Sequence, residues 1–121
     1  IKEKYFNNHE YIKKVYEKKL KEIASKEINE LVKYYYNMLK DEGIPLPIVE
    51  IRKMKARWGC CFPKQEKVKF NLSLIKTPIE CVEYVVLHEL SHFKYQNHSK
   101  DFYNFIEKYM FDWKERRKIK L

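Results

Sequence analysis

Val85-Val86-Leu87-His88-Glu89-Leu90-Ser91-His92 sets two histidines four residues apart inside an apolar run. Positions four apart on a helix lie about 40° from each other round the axis and roughly 6 Å apart along it. Two imidazoles placed in this way share one tetrahedral zinc ion, with the intervening Glu89 beside the metal. The competing reading is a core helix with two satisfied histidines and an unrelated glutamate. Residue frequencies give the His-Glu-x-x-His pattern by chance in roughly one chain of this length in several hundred, which weighs against coincidence. A further histidine, His98, follows six residues on.

The chain has 121 residues, enough for one domain with one core, so residues 1–121 are read as a single unit. Hydrophobic residues make up 45% and charged residues 36%, and seven Phe, ten Tyr and two Trp supply ample apolar surface, which together exclude a disordered chain. No apolar run approaches the ~18 residues that a membrane span needs, and no signal peptide opens the sequence. Residue 1 is Ile rather than Met, so the expectation is the C-terminal part of a longer protein. A net charge of +9 permits an acidic partner such as nucleic acid, although lysines on solvated helix faces account for much of it. Cys60, Cys61 and Cys81 make an odd number, and adjacent Cys60 and Cys61 are poor partners because a vicinal disulfide is strained. Reduced thiols and a cytoplasmic location follow as expectations.

From His9 to Asp41 apolar residues recur in steps of three and four, which predicts an amphipathic helix with Asn7 or Asn8 as its cap and a break near Ala24-Ser25 as an option. Gly43 is suited to stop it, and Pro45 and Pro47 forbid continuation. His9 is read as a surface residue. Pro47–Lys53 and Val68–Leu72 read as strands that pair antiparallel across the loop between them. That loop holds Arg57-Trp58-Gly59-Cys60-Cys61, with one of only two glycines, so Gly59 is expected at a sharp turn or a close backbone approach. Thr77-Pro78-Ile79-Glu80 reads as a helix start with Thr77 as cap and Glu80 completing a capping box. The motif then lies well inside a buried helix.

That helix cannot run on to His98 if all three histidines are to meet. Ten helical residues at about 1.5 Å each would carry His98 ~15 Å from His88. The chain is therefore expected to turn back after about Tyr95, with Asn97 as a left-handed residue. Ser99 caps a next helix through Phe102, Phe105, Ile106 and Tyr109, and Asp112–Leu121 packs through Trp113 with a solvated basic face.

Three imidazoles leave a fourth zinc position open, as a catalytic site requires. Glu89, about 100° round the helix from His88, is the candidate general base. A structural zinc site has no need of such a carboxylate, so an enzyme is favoured. Arg57, Tyr95 and Tyr103 are candidates for oxyanion stabilisation by residue type, and the Val68–Leu72 strand is a candidate for binding an extended peptide by backbone pairing. The leading reading is a zinc-dependent peptidase. Its rivals are a zinc-dependent hydrolase of nucleotide phosphoanhydrides and a basic nucleic-acid-binding module with structural zinc.

Taken together, Arg57-Trp58-Gly59, Cys61, Asn71-Leu72, His88 to His92, Asn97-His98-Ser99 and Lys114-Glu115-Arg116-Arg117 resemble the YgjP-like metallopeptidase domain, related to the SprT-like proteases. The resemblance spans roughly Ile12 to the C-terminus. It implies a zincin-like α+β fold: a long N-terminal helix, a small antiparallel sheet, the metal-binding helix and C-terminal helices. It also implies one zinc ion on His88, His92 and His98, Glu89 as catalytic residue, and a peptide or protein substrate; Arg57, Trp58 and Asn71 are the substrate-binding candidates. The chain departs from the family pattern at Cys60 (usually serine), Lys100 (usually proline) and Tyr103 (usually tryptophan). The histidine spacing is also that of the metzincins, but Tyr95 stands where their turn requires glycine, which excludes them.

Overall fold

The computed structural model describes residues 9–118. Helix α1 (His9–Leu39) leads into a 3₁₀ turn (Lys40–Glu42). Strands β1 (Ile48–Arg52), β2 (Gly59–Phe62) and β3 (Lys67–Asn71) follow, with a second 3₁₀ turn (Pro63–Gln65) between β2 and β3 and a third 3₁₀ segment (Leu72–Lys76) after β3. Helices α2 (Ile79–Ser91), α3 (Lys100–Tyr109) and α4 (Trp113–Arg116) complete the chain.

Helix α1 runs unbroken through Ala24-Ser25. Its C-terminal part buries Ala24, Ile28, Val32, Tyr35 and Leu39, spaced so that one stripe faces α2, the Leu72–Lys76 segment and β1. The N-terminal half keeps the same periodicity yet exposes Ile12, Val15 and Tyr16. Gly43 ends the helix as expected, at φ +84° with its N–H on the Lys40 carbonyl, a conformation only glycine adopts without strain. The proposed Asn7 or Asn8 cap lies outside the described residues.

The sheet corrects the expected antiparallel pair. Its order is β1-β3-β2, β1 runs parallel to β3, and β2 is antiparallel to β3. A third strand was hidden in Gly59-Cys60-Cys61-Phe62, which has neither β-branched residues nor an apolar–polar alternation. With β2 pairing to the far side of β3, the chain between β1 and β2 must cross the end of β3. Asn71 at that end holds the crossing: its Nδ2 donates to the carbonyls of Met54 at 2.9 Å and Arg57 at 2.8 Å, and its Oδ1 accepts from Ser73 N–H. Fully buried, Asn71 has its amide satisfied by backbone. Consequently β3 is central and has no free edge for a ligand; the edge strands are β1 and β2.

Helix α2 is enclosed by Val82, Val85, Val86, Leu87 and Leu90, all buried. Thr77 does not cap it. The Thr77 hydroxyl instead donates to the Leu74 carbonyl at 2.7 Å, closing the preceding 3₁₀ segment, and Pro78 starts the helix without a side-chain cap. Nor is Asn97 left-handed: Glu66 and Gly43 are the described residues with positive φ. Helix α2 stops at Ser91, earlier than expected, and tightening bonds from Phe93 N–H to Leu90 and from Lys94 N–H to Ser91 carry the chain out of the helix. Ser99 caps α3 as expected, accepting from Phe102 N–H at 3.3 Å. In α4, Trp113 is buried, while Arg116 is no free surface cation: it pairs with Asp112 and with Glu83 of α2.

Glu42 fastens the turn after α2 to the rest of the molecule. Its carboxylate accepts from Lys94 in that turn at 2.7 Å, and from Lys108 and Tyr109 of α3. These bonds, Lys94 first, hold its pKa down at about 2 from an ordinary 4.5. A carboxyl with a depressed folded-state pKa stabilises fully above its unfolded value and loses that contribution as pH falls. Native chain should thus melt above Glu42→Gln at neutral pH, with the gap closing between pH 4.5 and about 2. Melting curves across that range check it; a gap that stays constant with pH contradicts it.

Candidate metal centre

Three imidazoles converge at the C-terminal end of α2. The helix brings in His88 from its last turn and His92 as its C-cap residue in helical conformation, so both share one face, and the turn after it returns His98. The His98 Nε2 lies 3.1 Å from the Nε2 of both His88 and His92, and the three donor atoms all fall within 4.8 Å of one another. Tetrahedral bonds of ~2.05 Å separate their nitrogens by about 3.3 Å, so the spacing suits a small divalent ion.

The far side of each helical imidazole is also engaged. His92 Nδ1 is 3.1 Å from the Tyr95 carbonyl, and His88 Nδ1 is 3.1 Å from the Tyr84 hydroxyl. A carbonyl only accepts, so His92 Nδ1 carries the proton and its Nε2 lone pair points at the cluster. The same tautomer in His88 makes Tyr84 the acceptor. Burial is the main force that lowers the pKa of both rings, that of His88 to about 3, with the neighbouring histidines adding to it. Neutral imidazole is the form that ligates a metal.

Phe102 of α3 is the floor under the cluster. It stacks on His92, with centroids 4.6 Å apart and planes at 15°, and meets His88 edge-on at 4.9 Å and His98 at 5.2 Å. Fully buried itself, it holds the three rings against a rigid apolar surface.

Glu89 is 7% exposed, and burial raises its pKa to about 7 against the opposing charge of Arg57. Its side chain rests on Gly59 of β2. A β-carbon at Gly59 would stand 2.9 Å from Glu89 Cγ and 3.2 Å from Oε2, so a close approach, not a turn, explains this glycine. Cys61 faces the same carboxylate from the inner side of the sheet, and burial, with Glu89 next, pushes its thiol up to about 12. It stays protonated. All three cysteines are free.

These residues border a cleft of about 890 Å³ between α2 and the edge of β2, into which Arg57 and Trp58 also open. Asn71 does not reach it; its contacts lie behind the loop that presents Arg57. Of the oxyanion candidates, Arg57 lines the cleft, while Tyr95 packs on Phe105 and Tyr103 stacks on Trp113. Sequence reasoning missed Tyr84 and the floor role of Phe102. Tyr84 carried a usable signal, standing four residues before His88 and hence on its face of the helix.

Loss of an orienting partner of a metal-bound histidine costs about 10–100-fold in affinity. Tyr84→Phe should therefore weaken metal binding by about that factor while leaving the fold intact, as competition with a calibrated chelator would show. Unchanged affinity would make the Tyr84–His88 contact mere packing.

Comparison with known proteins bears on this geometry. The YgjP-like metallopeptidase domain matches residues 2–119. No curated protein matches the chain. Among solved structures, the metallopeptidase zymogen of Pyrococcus abyssi abylysin is similar at 22% identity and TM-score 0.64, covering 74% of this chain and 87% of that one. The metallopeptidase zymogen of Methanocaldococcus jannaschii jannalysin is similar at 26% identity and TM-score 0.63, covering 74% and 88%. Folded like these proteins, and with three histidines that could hold the metal ion such an enzyme needs, the chain is a metallopeptidase and belongs to the YgjP-like metallopeptidase domain family.

Proposed function

We propose that the metal is a single zinc ion held by His88, His92 and His98, and that Glu89 is the general base of peptide-bond hydrolysis. The observation that carries this reading is the convergence of three Nε2 atoms beside a buried carboxylate that is not one of them. An all-imidazole donor set suits zinc. Bound there, zinc supplies Lewis acidity, lowering the pKa of water and polarising a carbonyl.

The protein's own part is positional. Glu89 takes the proton of the attacking water and passes it to the leaving amine, which departs neutral. Gly59 leaves room for that carboxylate at the floor of the cleft. The free edge of β2 offers backbone groups to an extended peptide, so the pairing assigned from sequence to the Val68–Leu72 strand passes to Gly59–Phe62. Arg57 and Trp58 contact the substrate, and Asn71 acts through the loop it clamps. Among the described residues no helix is long and apolar enough to cross a membrane, and three free cysteines in or beside the sheet and α2 favour a cytoplasmic setting.

Metal removal tests the reading. Chelated chain should cut no member of a mixed peptide library, and one equivalent of zinc should restore cleavage. Release of phosphate from nucleotides in place of peptide cleavage would reverse the assignment of substrate.

A further inference from the structure

The cleft is unevenly charged. The Arg57 side chain lies 3.5 Å from the Cys60 sulfur near the start of β2, and Lys64 stands in the 3₁₀ turn (Pro63–Gln65) just after the strand, so two cations line the cleft beside β2. Glu89, on the floor, is the one carboxylate among the described residues that line the cleft. Other cations nearby are spoken for: Lys67 and Lys69 share Glu50 on β1, and Lys94 is held by Glu42. Among the described residues neither Arg57 nor Lys64 forms an ion pair within 4 Å; the Arg57 guanidinium has a 3.5 Å contact with the Cys60 sulfur and acts at longer range on Glu89. Two unpaired cations at the mouth of a partly apolar cleft attract anionic ligands and resist cationic ones.

Position along the strand turns this into a register. Glu89 abuts Gly59, so a bond attacked by water from Glu89 lies beside Gly59. The Arg57 guanidinium, 3.5 Å from the Cys60 sulfur, stands within about one residue of that bond, and at about 3.3 Å of strand per residue Lys64, beyond Phe62, lies about three to four residues farther along β2. We infer that the cleft selects acidic peptides, with Asp or Glu at those two distances from the scissile bond. The inference rests on the peptidase reading above and adds its substrate class.

Matched fluorogenic peptides carrying Glu, Gln or Lys at each of the two positions test it, with the whole zinc-loaded chain as enzyme. Glu peptides should be cut with kcat/KM about tenfold above their Lys counterparts at low salt, and the preference should shrink as salt rises. Lys64→Glu should reduce that ratio at the distant position alone, and Arg57→Glu at the near position alone. Because each ratio is taken within one variant, a general loss of activity cancels, and the Lys64 variant, altered on an exposed turn, suffices if the other misfolds. Equal cleavage of Glu and Lys peptides by the native chain overturns the inference and leaves the peptidase reading standing. Failure to cut any of the peptides under conditions where zinc is bound overturns the peptidase reading, and the inference falls with it.

Discussion

Glu89→Gln is expected to bind metal as the native chain does and to lose peptide cleavage by about 10²–10⁴-fold, the usual contribution of a positioned general base. Gln has the shape of Glu, so the contact with Gly59 survives and the helix carrying His88 and His92 keeps its packing. None of the hydrogen bonds that orient the imidazoles involves Glu89. The substitution therefore removes a proton acceptor and little else. Parallel metal analysis and steady-state kinetics separate the effects, and the loss should fall on kcat. A variant retaining more than about a third of native kcat with full metal would remove Glu89 from the chemistry.

Phe102→Ala is expected to damage stability and metal binding together. Deleting a fully buried phenylalanine ring costs about 3–5 kcal/mol, and in a domain of this size that lowers the melting temperature by more than ~10 °C. The cavity would open directly beneath His88, His92 and His98, which all rest on that ring. Their imidazoles would gain rotameric freedom that metal binding must then remove. Denaturation of the metal-free protein and chelator competition give the two readouts. Phe102→Leu, with its smaller cavity, should lie between native chain and Phe102→Ala in both. Were Phe102→Leu to lose stability while holding metal at native affinity, the ring would be core and not the floor of a site.

Much of this was legible in the sequence because the informative residues act locally. The apolar spacing of α1, the Gly43 stop and the Ser99 cap depend on neighbours within a turn or two, and each appears where the sequence puts it. So does the need for His98 to return, which is plain arithmetic on helical rise. Three of the misses are choices between partners. Thr77 had two acceptable uses for its hydroxyl, and the Leu74 carbonyl took it in preference to the helix N-terminus. Nothing in Gly59–Phe62 favours a strand by itself; pairing with β3 makes it one, and that pairing also turns β1 and β3 parallel. Asn71 is the instructive case. A polar residue beside a motif suggests ligand contact, yet its amide is consumed by Met54, Arg57 and Ser73, and only the crossing of the chain over β3 creates that need.

Gly59 joins the two kinds of information. Its rarity in a chain with two glycines marked the position, while the reason for it, the Glu89 side chain lying against the strand, is tertiary. Two elements remote in sequence thus share one constraint, and it falls on the carboxylate assigned to the chemistry.

X-ray absorption at the zinc edge, recorded on the zinc-loaded chain, probes the proposed centre directly. Three imidazole nitrogens at about 2.0–2.1 Å and a fourth light ligand are predicted, with one imidazole fewer in His98→Ala. A sulfur ligand at about 2.3 Å would contradict the account, because it would move the metal from the His88–His92–His98 cluster to Cys60 or Cys61.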